Sequence, residues 1–467
     1  MVHRKGQLEM KPFGWLQICR LGLVQAAIGG VVVLATSTLN RVIVVELGLA
    51  AIIPGLMVAG HYLLQIIRPR MGFGADQSGR CVPWIRGGML SLAVGGLTAG
   101  YGTGLMVTAF STGLLICALG FVLIGIGVSA CGTSVLTLLA KSVPASRRAG
   151  AATAVWLMMI AGFAVTAGTA GHFLDPFTMD RLLLVSAWVT GLALLLTLVA
   201  TWQLERTPSM TDDSNATGKA PVSARQGQTD QPSFREALQS VLDQASVRRF
   251  TVFVFVSMLA FSAQDLILEP YAGLVFGYSP GQSTQLSGLQ HAGVLTGMLL
   301  VPLSQLIPVI GKRPGLLRFW TIAGCLLSGL ALAGLTLGGL SPADWPLRMN
   351  VFSLGMANGA FSIAAIASMM ALAGQGEAHR EGTRMGVWGA AQAIAFAAGG
   401  LLGTAMADLA GQVIRDLSTA YGTVFLLEAL GFVWAAYLGS RLNHSDTTTS
   451  PSPQPGTGLN PEETCRA

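Results

Sequence analysis

The chain has 467 residues, 52% of them hydrophobic and only 11% charged, with a formal net charge of +6. Ordinary soluble domains carry about 25% charged residues, so too few polar side chains remain here to cover a water-facing globule. That excludes a soluble enzyme, a disordered chain and a nucleic-acid binder, and leaves an all-α polytopic membrane protein in contact with a lipid bilayer.

Residues 1–11 are basic but lack a short apolar core followed by a small-residue cleavage site, so the first apolar segment is expected to be a permanent span. A spanning helix needs about 20 mostly apolar residues. Twelve runs qualify: 21–46, 50–67, 84–108, 112–140, 149–173, 182–203, 250–276, 285–308, 316–340, 348–373, 384–408 and 419–440. They are long and continuous, not ten-residue segments of alternating polarity, which predicts helices and excludes a barrel.

One long polar interruption divides the runs six and six. The expected organisation is a six-helix bundle over 1–204, a linker over 205–249, a second six-helix bundle over 250–442 and a disordered tail over 443–467. The stretch 208–231 is rich in Ser, Thr, Asp, Gly and Pro and reads as flexible. Ser233 and Glu236 then make a capping box ahead of Phe234, Ala237, Leu238, Val241, Leu242 and Ala245, predicting an amphipathic helix over 233–247. Such a helix lies on the membrane surface or rests against the bundle.

Charge placement predicts orientation, because excess Lys and Arg mark cytoplasmic loops. Of the 28 basic residues, 24 fall on the side of the termini, Arg181, Arg348 and Arg415 fall on the other, and Arg41 lies within a span. Both termini are therefore expected in the cytoplasm. Six cysteines show no metal-ligand spacing and imply no disulfide framework.

Gly150, Val155 and Trp156 open the fifth run, and Gly382, Val387 and Trp388 open the eleventh at the same spacing, 232 residues later. Two six-helix halves in parallel repeat are the organisation of major facilitator transporters. The loop after the second run supplies Gly72, Asp76, Gly79 and Arg80, which match that superfamily's G-x-x-x-D-x-x-G-R signature. In the corresponding loop of the second half, 311–315, the Asp is lost.

Ionisable groups inside spans are costly and mark function by default. Arg41 and Glu46 lie in the outer part of the first run, and Asp265 and Glu269 lie four apart on one face of the seventh. Similar depths predict an Arg41–Glu269 pair with Asp265 deeper, as a central charged network or as a purely structural tie between the halves. Asn40, Gln264 and Asn358 are placed to extend it.

His61 and His291 fall within the second and eighth runs. Neutral imidazole ligates metals, the magnesium of a chlorophyll-type pigment included, while a lone intramembrane His also serves as a hydrogen-bonded packing residue. Gly96, Gly100 and Gly104 form a small-xxx-small packing stripe. The repeat-equivalent Trp156 and Trp388 are read as architecture. No phosphate-binding G-x-x-x-x-G-K-[ST], no D-x-x-x-D pair, no H-E-x-x-H and no nucleophile elbow occurs, so neither a catalytic residue nor a protein metal site is expected.

The first-run segment from Ser37 through Arg41 and Glu46 to Gly48 resembles a signature of the PucC/LhaA family, the bacteriochlorophyll-delivery branch of the major facilitator superfamily. So does the segment from Ala263 through Asp265, Glu269, Pro270 and Tyr271 to Gly273. Pro83, Trp84 and Ile85, and Gly386 through Trp388 to Gln392, are similar to further family segments. The resemblance implies the major facilitator fold and a bacterial inner, intracytoplasmic membrane. It implies a role in handling bacteriochlorophyll or a precursor as a non-covalent ligand and in assembling light-harvesting and reaction-centre polypeptides. Bacteriochlorophyll synthase is implied as a partner, with this chain as its non-catalytic companion. The alternative is an ion-coupled exporter of a small metabolite or drug, with Asp265 or Glu269 as the coupling carboxylate.

Overall fold

The structure, a computed structural model, describes residues 13–68, 71, 80–205, 245–308, 315–373 and 381–441. Most of the linker, the tail, and Gly72, Asp76 and Gly79 of the signature loop lie outside the described residues; Arg80 stands exposed just before the third helix. Of the predicted amphipathic helix over 233–247, only 245–247 are described, and they begin the seventh helix.

Twelve helices follow the twelve predicted runs. The first bundle comprises α1 (Trp15–Val33, continued by π-helical turns Leu34–Leu39 and Val42–Glu46), α2 (Ile52–Leu63, ending in a 3-10 turn Leu64–Ile67) and α3 (Val82–Leu105). It is completed by α4 (Phe110–Ser142), α5 (Ala145–Leu174) and α6 (Met179–Ala200). The second comprises α7 (Ala245–Phe276), α8 (Pro280–Leu306), α9 (Leu316–Leu340), α10 (Leu347–Ala373), α11 (Glu381–Val413) and α12 (Leu417–Ser440). Among the described residues ten of these are long and apolar enough to cross a membrane. The exceptions are α2, which is short, and α3, whose seven glycines lower its hydropathy. The chain is a multi-pass membrane protein.

Local chemistry sets several boundaries. Helix α8 starts at Pro280, earlier than its apolar run, because Ser279 accepts from the Gln282 amide while the Gln282 side chain accepts from the Ser279 amide. That capping box satisfies two of the helix-end N–H groups, and proline suits the first turn. Helix α3 is capped from a distance: the Glu205 carboxylate accepts from the Cys81 and Val82 amides at 2.7 and 3.0 Å. The Arg20 guanidinium closes the same end by donating to the carbonyls of Ala200 and Trp202.

Each bundle has its own core. In the first it runs from Ile18 and Leu21 through Phe121 and Val135 to Leu182; in the second it is built on Phe250, Phe253, Tyr271, Phe361, Phe425 and Phe432. The most extensive seam joins α3 to α4. A methyl group added at Gly95 would stand 2.7 Å from the Ile124 nitrogen and 2.8 Å from the Gly120 carbonyl oxygen. One at Gly102 would stand 2.8 Å from the Gly113 oxygen, and one at Gly127 2.7 Å from the Gly88 oxygen. These glycines recur every seven residues on both helices (88, 95, 102 against 113, 120, 127), the repeat that keeps one seam facing its partner. The expected stripe at Gly96, Gly100 and Gly104 is secondary: the first two face Thr190 and Ser186 of α6, and Gly104 has nothing within 4 Å.

The bundles meet along two seams related by the repeat, α5 against α8 and α2 against α11. Both are fastened at the end of the molecule away from the termini. The Ser279 hydroxyl donates to Asp175 at 2.7 Å. The Asp408 carboxylate of α11 accepts from the Ala51 and Ile52 amides at 2.9 and 2.8 Å, capping an α2 that carries no acidic residue in its own first turn. The Asn40 amide donates to the Leu266 carbonyl at 2.7 Å, and Thr38 bonds Thr284 at 3.2 Å.

Gly95→Ala should destabilise the protein by about 1–3 kcal/mol through overpacking, whereas Gly104→Ala should be neutral or slightly stabilising. Thermal unfolding of the two variants in one detergent checks the contrast. Asp408→Ala removes the cap of α2, worth about 0.5–2 kcal/mol. Hydrogen exchange of the peptide containing Ala51 and Ile52 should quicken by roughly 2- to 30-fold, with the α3–α4 seam unchanged.

Candidate functional site

A cavity of about 270 Å³ lies between the bundles. Arg68, exposed at the end of the molecule that carries the termini, belongs to its lining, so the cavity reaches the surface there; the opposite end is the fastened one. One wall is polar. Helix α7 brings Asp265 and Glu269 to the cavity together, as four-residue spacing requires, and α8 adds Ser287, Gln290 and His291 at i, i+3 and i+4. Asp265 faces Gln290, and Glu269, only 3% exposed, faces Ser37 of α1 and Ser287. The other walls are largely apolar and aromatic, with Trp156, Met159 and Phe163 from α5, Met258 and Phe261 from α7, and Phe396 from α11, while α2 adds His61, Gln65 and Arg68.

Arg41 does not pair with Glu269. Its guanidinium bonds the Glu46 carboxylate at 2.5 Å and donates to the Tyr278 carbonyl at 2.7 Å, against Gly273, whose missing side chain leaves the room. The cause is local. In an α-helix residues five apart point about 140° away from each other, but α1 is π-helical here, and the i to i+5 turn sets Arg41 beside Glu46. Of the four charged residues expected to form one network, Asp265 and Glu269 face the cavity, while Arg41 and Glu46 lie outside its lining and tie α1 to the end of α7.

Both candidate histidines line the cavity, in different settings. His61 of α2 is 3% exposed; its Nε2 is 3.2 Å from the Gln65 side-chain nitrogen, and the Gln65 oxygen accepts from Arg68. His291 stacks on Phe163 with ring centroids 4.9 Å apart, and its Nδ1 is 2.9 Å from the Ser287 carbonyl oxygen. Trp156 faces the cavity, contrary to its reading as architecture. Its repeat mate Trp388 is 1% exposed and packs edge-on against Phe250, so the repeat preserved the residue and not the role. Of the expected amides, Asn40 ties α1 to α7, Asn358 bonds Ser328 inside the second bundle, and Gln264 is buried; none lines the cavity.

Several residues were missed in the sequence. Ser287 and Gln290 complete a polar stripe with the already expected His291, at a helical spacing that periodicity alone would have exposed. Glu428 of α12 is 4% exposed with both carboxyl oxygens unpartnered, and the intramembrane-charge rule applied to the run 419–440 finds it directly. Among the described residues no three of His, Cys, Asp and Glu come together as a metal site.

Comparison with known proteins agrees with this geometry. Two solved transporters share the fold. A bacterial homologue of the human lysosomal transporter Spinster, in an inward-facing and unoccupied conformation, has a TM-score of 0.65 at 16% identity, over 93% of this chain and 97% of that one. A D-xylose–proton symporter has 0.60 at 15% identity, over 90% and 97%. At that identity they establish the major facilitator fold alone. The bacteriochlorophyll synthase 44.5 kDa chain of Rhodobacter capsulatus is 48% identical over 427 residues, covering 91% of this chain and 95% of that one. Protein PucC of the same organism is 27% identical over 434 residues, 89% of each. The sequence model of the PUCC protein family matches residues 38–447, nearly the whole described bundle, and the chain belongs to that family.

Proposed function

We propose that this protein serves photosynthetic pigment-complex assembly by receiving bacteriochlorophyll or a precursor in the central cavity and handing it to light-harvesting or reaction-centre polypeptides. The cavity carries the reading: aromatic and methionine walls suit a flat apolar ring system, and the polar wall of α7 and α8 offers an imidazole, an amide, a hydroxyl and carboxyls for its polar edge. At about 270 Å³ it falls just below the roughly 300–1,000 Å³ of sites that enclose whole ligands. A pigment therefore enters only in part, which suits transfer better than storage. The relative named as a bacteriochlorophyll synthase chain supports synthase as a partner, with this chain non-catalytic. The termini then face the cytoplasm of a bacterial inner membrane, as the basic residues are distributed.

The two carboxyls on one face of α7 favour a second reading, an exporter coupled to an ion at Asp265 or Glu269. Purification from a pigment-producing host in mild detergent separates the two. Retained pigment absorbance that survives the Asp265→Asn, Glu269→Gln double substitution is expected for a pigment carrier. Colourless protein that moves a small solute against a proton gradient in liposomes, and stops doing so in the double variant, would favour the exporter and sink the first reading.

A further inference from the structure

The two cavity histidines differ in which nitrogen is free, and the difference assigns them separate chemistry. A guanidinium can only donate, so the Gln65 atom bonded to Arg68 is the amide oxygen. The Gln65 nitrogen then faces His61 and can only donate, so His61 Nε2 is the acceptor. In the neutral ring the proton sits on Nδ1, which is buried and has no partner. His61 therefore has its lone pair taken and its N–H shut away from the cavity.

His291 is the reverse. The Ser287 carbonyl can only accept, so His291 Nδ1 carries the proton and Nε2 keeps a lone pair. No partner occupies Nε2 among the described residues, and the part-exposed ring lines the cavity. A ring N–H held by a backbone carbonyl, with the far nitrogen open, is the arrangement of metal-ligating histidines. The ring plane is fixed by Phe163 stacked on one face.

We infer that His291 Nε2 is the axial base for a metal-bearing ligand, whereas His61, with its Nε2 taken and its Nδ1 shut away from the cavity, is not a ligand. The ligand class is thus a planar macrocycle holding a metal with an open axial position. The Nε2 lone pair fills that position and displaces a weakly held solvent oxygen; no bond within the ligand changes. This rests on the pigment-handling reading above and adds which group recognises the metal.

The test compares the full-length protein's affinity for bacteriochlorophyll and for its metal-free counterpart, with folding checked by thermal unfolding. Losing only the group that orients a ligating His costs about 10- to 100-fold, so His291→Ala should weaken the magnesium pigment by at least about tenfold. It should leave the metal-free pigment unchanged and abolish the absorption signature of axially ligated magnesium, and added imidazole should restore that signature. His61→Leu should leave both the preference for the magnesium pigment and the signature intact. Metal-dependent loss at His61 instead of His291, or equal binding of both pigments by wild type and His291→Ala, would overturn the assignment while leaving pigment handling standing. Failure of the wild type to bind either pigment would overturn pigment handling itself.

Discussion

A polar group that leaves water for hydrocarbon has to find its partner inside the protein, and most of this architecture follows from that requirement. Helices satisfy their own backbones except at the ends. The ends are satisfied here by side chains borrowed from elsewhere: Glu205 after α6 caps α3, Asp408 of α11 caps α2, and Arg20 and Arg318 close carbonyls at the ends of α6 and α12. Three of these ties stay within a bundle. The Asp408 tie crosses between bundles, so the same requirement that completes a helix also fixes how the halves meet. Arg41 obeys it too, with its charge shared between Glu46 and the Tyr278 carbonyl.

The spans were legible because the signal for a membrane helix is long and simple: about 20 apolar residues in a row. The division into halves was legible because one polar stretch interrupts the series and a glycine–valine–tryptophan pattern recurs beyond it. Asp265, Glu269, His61 and His291 were picked out because each is expensive where it stands. The Arg41–Glu269 pair failed because depth along a span says nothing about azimuth once the helix is overwound into π turns, and no residue type announces those turns. The α3–α4 seam was obscured by abundance: with 59 glycines in the chain, the three-residue stripe hid the seven-residue repeat. Trp156 and Trp388 show the limit of repeat reasoning. Duplication carries the side chain along, but only one copy ends on the cavity.

The cavity combines one polar and several aromatic walls because its sides come from different helices of both bundles. Helices α7 and α8 present hydroxyls, amides, carboxyls and an imidazole, while α5 and α11 contribute rings. A ligand held between them is oriented without being enclosed. A polar edge would meet directional partners there and an apolar body would meet contact area, with the opening beside Arg68 left for the remainder.

The ties that hold the far end shut differ in kind from those inside each bundle. Asp408 on the α2 amides and Ser279 on Asp175 are hydrogen bonds that water can take over one for one if the seam parts. The glycine contacts of α3 and α4 are backbone against backbone, and no solvent molecule can stand in for them. The α2 end of the α2–α11 seam is thus held by bonds that water can replace, and the α3–α4 seam by contacts that it cannot.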